Sequence, residues 1–499
     1  MATTIEQQPL YRMLAAGEEI IFALKNTTIV ASKFKVKFIA EVYVTGKNPG
    51  NFLQIEKIAT LKVTPNNAGI GIFDFSRILE SYVSPDYLGG EGNILSSVQY
   101  YTSANSVSYE YQPHPIHQID YFSNARNAAK GFAMKFYIEY ADSITGTLTN
   151  TSNSAILSDN FYIHNGVRQE DDIIGHERGT SNFGYSYAHD NLILNGTDGK
   201  FLTNSPSVQY IGEADYHTVA FFQEGGSAEG NGSTYGSLLQ SYTSPAATKS
   251  PYKIKSQFYY NGSTTGSQIS ITNHTNRGGH YYNGNYGKNK ILYVGIGTGN
   301  FLGRGISLPT NWDYYKVWAQ DQNANIISKD YYFYKEEVCK GFEKFRLTWL
   351  NRLGVWDYFN FTKKNVRKVN SKRETYKQVK GNWNEAKYSI NGYKGGTKVF
   401  STNSKEIITL QTDYITEEAA AWLEELFTSP DVFVLQERTT EVYQYAVVGS
   451  PIISKTINKY VQPCIVTTSS YTRKTTANDK LKQYTIDIEM SHNKRIQKA

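Results

Sequence analysis

A mainly β protein of several sandwich or barrel modules, with only a few short helices, is what this sequence predicts. Three observations carry that expectation. Apolar and polar residues alternate in many short runs. Tyrosine, whose large ring and hydroxyl suit half-buried strands, occurs 40 times. Forty glycines, mixed with Asn and Ser, break the runs where turns need positive φ. At 499 residues the chain exceeds one ordinary domain, and domains of about 100–200 residues suggest roughly three.

The elements follow in order. FKVKFIAEVYV (34–44) puts Phe34, Val36, Phe38, Ala40 and Val42 on one side, and FLQIEKIATLKV (52–63) continues the pattern beyond the break TGKNPGN. Period two around such a break reads as an antiparallel pair. In DFSRILESYV (74–83), Asp74 is placed to cap a short helix whose Phe75, Ile78, Leu79 and Tyr82 share a face, stopped before Pro85. FAMKFYIEY (132–140) is a further strand. From about 145 to 310 the chain turns polar, with TGTLTNTSNS, EGGSAEGNGSTYGS and YNGSTTGS between short apolar strands. Loops of that length are usually functional or mobile. DYYKVWAQ, DQNAN and IISKDYYFY then form a hairpin.

All six tryptophans fall between Trp312 and Trp422, which marks a compositional boundary near 310–340. The heaviest apolar strip, RLTWLNRLGVWDYFNF (346–361), follows it. Asn351 and Gly354 suit a turn. Trp349 and Leu350 lead into that turn, Leu353 sits in it, and Trp356, Phe359 and Phe361 leave along a strand. The expectation is that these rings fill a C-terminal core. Near the end Thr416 caps a helix with Glu417 and Glu418 at its positive end and Ala419, Trp422, Leu423, Leu426 and Phe427 as its apolar stripe. Thr428-Ser429-Pro430 stops it. The closing strand alternates Tyr484, Ile486, Ile488 and Met490 inward against Thr485, Asp487 and Glu489. The expected division is 1–112, an N-terminal β-sandwich with a short helix; 113–344, a second β domain with long polar loops or an insertion; and 345–499, a C-terminal β domain with one helix.

Charge and motifs narrow the function. A net +6 makes no nucleic-acid claim for the whole chain. Cys339 and Cys464 cannot staple a protein of this size and read as apolar residues. The start, MATTIEQQPLYRMLAAGEE, has no basic stretch followed by an apolar core, so no secretory leader is expected. No run approaches the ~18–20 apolar residues of a membrane helix, so no span is expected either.

YVGIGTGNFLG (293–303) imitates a dinucleotide fingerprint. Asn300 stands where the third glycine belongs, and the run toward Pro309 predicts a strand and turn with no helix for a phosphate to meet. His114 with His117, and His164, Glu170, Asp171, Asp172, His176 and Glu177, lack helical ligand spacing and read as solvated loop, with a hard-cation site as the rival. No G-x-S-x-G, H-E-x-x-H or recognisable catalytic cysteine occurs. Catalytic, cofactor and metal residues are therefore all expected to be absent, although a carboxylate pair for glycoside cleavage leaves no sequence signature. After the strip runs a basic stretch, FTKKNVRKVNSKRETYKQVKG (361–381). Its Lys363, Lys364, Arg367, Lys368, Lys372 and Arg373 are candidate contacts to an acidic protein face or DNA, or else a solvated arm. Tyrosines in the 145–300 loops suit sugar stacking or a subunit interface.

The strip, with Cys339 before it and the basic arm after it, resembles virion proteins of tailed bacteriophages, of the kind found in phages of Bacteroidota and marine bacteria. Trp349, Leu350, Asn351, Leu353, Gly354, Trp356, Asp357, Phe359 and Phe361 match a W-L-N-x-L-G-x-W-D-x-F-x-F pattern. ITEEAAAWLEELFTSPDVFVLQ and YTIDIEMSHNKR look like the helix and final strand of the same domain, so the likeness covers about 345–491, more weakly 10–112, and scarcely the middle. Such domains look similar to ring-forming distal tail and baseplate proteins. The resemblance implies a structural virion part and not an enzyme. Its partners would be identical subunits in a symmetric ring and other tail, baseplate or neck proteins. It would be assembled in the bacterial host cytoplasm without a leader and reside in the tail region of the virion. The competing expectations are a host-glycan-binding adhesin or receptor-binding protein using the tyrosine-rich middle, and a polysaccharide-degrading enzyme.

Overall fold

The computed structural model describes residues 3–9, 13–45, 55–85, 122–124, 127–158, 161–169, 172, 192–194, 196–223, 251–272, 290–303, 305–321, 323–337, 341–441, 456–468, 482–491 and 494–498. The protein is mainly β and multidomain, with few and short helices. It forms two compact units. One comprises Met1–Glu336 with Leu350–Asp357, the other Glu337–Trp349 with Tyr358–Ala499. No helix among the described residues is long and apolar enough to cross a membrane.

The first unit holds two cores. The first is built from β1 (Thr4–Gln7), β2 (Met13–Gly17), β3 (Ile21–Lys25), α1 (Thr27–Ser32), β4 (Phe34–Thr45), β5 (Ile55–Val63), β6 (Ile70–Asp74) and α2 (Ser76–Glu80). The short β7 (Phe122–Asn124) lies in another sheet, and β8 (Ala129–Ala141), β9 (Leu148–Asn150), β10 (Ile156–Leu157) and β11 (Phe161–Val167) return to this core. A sheet ordered β1-β3-β6 accompanies one ordered β2-β11-β8-β4-β5, with β9 and β10 on β8. Phe22, Phe73, Phe75, Phe136 and Phe161 pack together, with ring centroids 5.5–6.4 Å apart.

The antiparallel pair read from residues 34–63 is present as β4 and β5, with Phe38 opposite Val63. Phe38, Ala40 and Val42 face the core, whereas Phe34 is exposed beyond an irregularity at Lys35, whose φ is 53°. Asp74 does bond the helix start, accepting from Ser76 N at 2.9 Å, although Phe75 is the residue at the cap. The domain boundary expected at 112/113 is displaced. β8 pairs with β4 and β11 with β2, so residues 129–167 complete the first core. A boundary drawn from composition cannot see pairing between strands that far apart.

The second core comes from β12 (Val208–Ile211), β13 (Thr218–Gln223), β14 (Lys253–Tyr260), β15 (Ser263–Thr272), β16 (Lys290–Gly295), α3 (Thr298–Gly303), β17 (Tyr314–Gln320) and β18 (Tyr331–Lys335). One sheet runs β12-β18-β17-β14-β15 and the other β13-β16-β7. Phe221, Phe258, Leu292, Tyr315 and Phe333 are among its buried residues. The β17–β18 hairpin is as expected, its turn held by Asp321 Oδ1, which accepts from Asn323 N and Asn325 N, each at 2.8 Å.

In the second unit β19 (Phe345–Leu350), β20 (Trp356–Phe361), β21 (Val366–Gln378) and β22 (Gly396–Gln411) precede α4 (Glu417–Thr428). β23 (Val432–Glu441), β24 (Thr456–Val466), β25 (Thr485–Met490) and β26 (Lys494–Lys498) follow it. The sheet order is β20-β19-β23-β24-β25-β22-β21, with β26 on β22. Thr416 caps α4, its hydroxyl oxygen accepting from Ala419 N at 3.2 Å, and Trp422, Leu423 and Leu426 are buried against the sheet residues Trp349, Ile408, Ile486 and Ile488. Cys464 is buried here, 3.6 Å from the Val432 carbonyl oxygen, and burial pushes its thiol up to about 12. At pH 8 iodoacetamide is therefore expected to label Cys464 in the native protein at least ~10-fold more slowly than in the unfolded chain. Equal rates in peptide mapping would contradict this packing. Cys339 lies outside the described residues.

Candidate interaction surface

Of the residues singled out as possible ligands, only His164 and Asp172 lie among the described residues. His114, His117, Glu170, Asp171, His176 and Glu177 lie outside the described residues. His164 is fully buried with its ring 5.0 Å from Phe222, and Asp172 pairs with Arg352 at 3.1 Å and Arg168 at 3.7 Å. Among the described residues no group of three or more His, Cys, Asp or Glu is placed to hold a metal. The fingerprint-like turn is a correction in one respect, because the short helix α3 does start at Thr298. Its polar groups are already spent. Asn300 Oδ1 accepts from Gly297 N at 3.0 Å and His217 N at 2.9 Å, and Thr298 Oγ1 donates to the Gly212 carbonyl at 2.6 Å. A Cβ at Gly299 would stand 2.6 Å from the Ala214 carbonyl oxygen. These glycines allow two backbones to approach and do not cradle a phosphate.

The tryptophan-rich strip divides. Trp349 and Phe361 line the second unit's core beside Trp422 and Leu426, with Phe359 half-buried against them. Trp349 is fully buried and its ring lies 5.1 Å from that of Trp422. Leu350, Leu353 and Trp356 are buried too, but they belong to Leu350–Asp357 of the first unit. The expectation that the whole strip fills the C-terminal core is corrected for these three. The chain leaves the second unit after Trp349, forms its turn in the first, and returns at Tyr358.

The basic stretch becomes a projecting β-arm. β22 alternates into the core from Ser404 onward, while residues 396–403 are exposed or half-buried and nearly all of β21 is exposed. β21 ends the sheet among the described strands, so one backbone edge stays open. Lysines on such an edge oppose indiscriminate strand pairing. The six candidate contacts separate by role. Lys363 pairs with Asp413 at 2.8 Å, and Arg367 pairs with Glu343 at 2.5 Å while stacking over Phe345. Both anchor the base of the arm. Lys364, Lys368, Lys372 and Arg373 are exposed, and no described carboxylate pairs with them.

At the far end, residues 379–395 fold into a small knob. Gly381 (φ 77°) leaves room for Tyr388, since a Cβ there would stand 2.6 Å from the tyrosine ring. Asn382 N donates to the Ser389 carbonyl at 3.0 Å, and the Asn382 side chain donates to Glu385 and Ser389 and accepts from Lys394. The Trp383 indole N–H (3.0 Å) and the Tyr388 hydroxyl (3.3 Å) both donate to the Lys380 carbonyl, with the rings edge to face 5.5 Å apart. Their polar handles are thus satisfied internally while the rings stay outside. Trp383 is 75% exposed, Tyr388 54% and Tyr393 71%, beside exposed Val379 and Ile390.

Folding gains little from rings held this way. Burying each against a partner would contribute about 1.5–3 kcal/mol, with part of the ordering cost already met. The arm also concentrates charge. Residues 363–398 hold eleven Lys or Arg and two Glu, a net +9 against +6 for the whole chain, so the other 463 residues carry −3. Sequence reading passed over the knob. Its available signal was Trp383, Tyr388 and Tyr393 among Asn, Gly and Lys without either periodicity.

No family model matches the chain, and no curated protein matches it. Among solved structures it is similar to alpha-2-macroglobulin of Escherichia coli in the native conformation, at 8% identity over 82% of this chain and 22% of that one, with a TM-score of 0.17. The trypsin-activated E. coli protein matches at 7% identity over 97% and 32%, TM-score 0.17, and a methylamine-reacted Salmonella alpha-2-macroglobulin at 7% over 97% and 30%, TM-score 0.16. The chain spans between about a fifth and a third of the length of these proteins, and likeness at this level carries no argument.

Proposed function

We propose that this protein is a structural component of a bacteriophage virion, a ring-forming tail or baseplate protein whose β-arm engages the body of an identical neighbour. The observation that carries the assembly reading is the arm: a +9 projection tipped by ordered, exposed aromatic rings, on a chain whose remainder is net negative. Arm to body is a head-to-tail contact, and such contacts close into rings when the rotation permits. Trp and Tyr surrounded by charge have the make-up of interface hot spots. The virion assignment itself rests on the resemblance of residues 345–491.

Full-length protein is expected to run as a closed multimer in light scattering and to show rings by negative-stain microscopy. Replacing Trp383, Tyr388 and Tyr393 together by Ala is expected to weaken assembly by at least ~100-fold, since two or three hot-spot rings are lost. Raising salt should weaken it as well. A protein that stays monomeric at high concentration and is absent from purified particles by mass spectrometry would defeat the reading. A steep salt slope for binding to a random-sequence DNA duplex would instead assign the arm to phosphate contacts.

A further inference from the structure

The outer face of the sheet β12-β18-β17-β14-β15 carries a row of aromatic residues that its core does not require. Strand register places Tyr210 opposite Tyr334, Tyr334 opposite Tyr314, and Tyr314 opposite Tyr259. The rings follow suit. Tyr259 and Tyr314 stack at 4.8 Å and 9°, Tyr314 and Tyr334 lie 4.9 Å apart, and Tyr334 and Tyr210 6.2 Å apart. Exposure grows along the row, from half-buried Tyr259 and Tyr314 to 37% at Tyr334 and 65% at Tyr210. Alternate residues of the same strands, Phe258, Tyr315 and Phe333, point into the core. The sheet is antiparallel except where β12 joins β18 in parallel. A sheet with one face packed and the other open usually turns polar residues outward, so a ladder of four tyrosines spanning four strands, about 14 Å across, is excess aromatic surface.

Around the ladder the side chains are donors. Tyr332 and Lys316 face each other in the next row, and Lys255 stands opposite Trp318 in the row after. Lys253 follows on the same strand face. Lys316 has a described carboxylate partner, Asp330 at 3.1 Å, and stacks over Trp318 at 4.7 Å. Lys255 donates to the neutral Gln268 Oε1 at 3.0 Å, and Lys253 lies over Tyr252. Burial, and after it the neighbouring Lys253, lowers the pKa of Lys255. An anion beside Lys255 would offset the cost of its charge. Lys255 and Tyr259 are four residues apart on one strand face, about 13 Å, so ladder and lysines form one patch of oligosaccharide dimensions.

We propose that this face binds an acidic polysaccharide: sugar rings pack on the exposed end of the tyrosine row, and carboxylates of the glycan meet Lys253 and Lys255. Aromatic faces suit the apolar faces of sugars, phenol hydroxyls and lysines suit their oxygens, and the cation pair selects a charged chain over a neutral one. The inference is independent of the arm and of the oligomeric state.

Affinity electrophoresis of the full-length protein through gels containing hyaluronate, alginate or neutral dextran tests it. Retardation is expected with at least one acidic glycan and not with dextran. The pair Tyr210→Ala and Tyr334→Ala is expected to weaken retention ~10-fold, and Lys253→Glu with Lys255→Glu to abolish it, with near-UV circular dichroism unchanged in both. Lack of retardation by either acidic glycan, or equal retardation by dextran, would overturn the proposal. So would retention that survives both variant pairs, or that is lost instead with Lys368→Glu and Lys372→Glu on the arm.

Discussion

Replacing Gly354 with alanine is expected to lower the stability of the first unit by about 3 kcal/mol or more, the range of a backbone conflict at a special φ. Gly354 has φ 83°, and a Cβ there would overlap the carbonyl oxygen and carbon of Asn165. The turn cannot simply move aside. Asn351 N donates to Val355 O at 2.7 Å, and Gly354 N donates to Asn351 O at 3.0 Å. Asn351 Oδ1 accepts from Leu353 N and Val355 N, while its Nδ2 donates to Leu202 O at 2.9 Å. Val167 N donates to Arg352 O at 2.6 Å. The segment is therefore pinned to β11 by its backbone and to the Leu202 region by the Asn351 side chain.

Unfolding of a multi-unit chain is not two-state, so hydrogen exchange resolved by peptide is the appropriate measurement. Faster exchange is expected in 161–167 and 200–203, with little change in 485–490. Unchanged exchange and melting in Gly354→Ala would refute the packing described.

Trp349→Ala is expected to cost the second unit about 3–5 kcal/mol, the range for emptying a core of a large aromatic side chain. Trp349 is fully buried within van der Waals reach of the helix through Trp422, and Phe359 closes on Trp422 from the side at 6.1 Å. The loss should appear as faster exchange in 406–411 and 485–490 and as lower resistance to denaturant. Trp383→Ala supplies the internal contrast. That ring is mostly exposed, so its removal should change monomer stability by no more than about 0.5 kcal/mol while weakening assembly. If the two substitutions destabilised equally, the division of the tryptophans into core and surface would be wrong.

Much of the local structure was legible. Period two placed β4, β8, β17 and β25, and helical spacing with a Thr cap placed α4. Asn351 and Gly354 marked a turn that does form, because a positive φ demands glycine whatever surrounds it. The misreadings share a cause. The short helix at Thr298 follows from Asn300 and Thr298 bonding the loop around Gly212–His217, a partner some 80 residues earlier. The knob was missed because its order comes from hydrogen bonds to main chain and not from apolar spacing. The tyrosine ladder was invisible because its members come from four separate strands.

By itself, then, the sequence determined the β class, the sites of turns and caps, and which face of each strand seeks the interior. These depend on neighbours two to four residues away, within reach of steric and hydrogen-bond preferences. The tertiary structure decided which core each apolar residue enters, sending Trp349 to one unit and Leu350–Asp357 to the other. It also decided which aromatics stay outside, as Trp383 and Tyr210 do. Burial depends on which surfaces meet across hundreds of residues, and alternation specifies a face without naming what covers it.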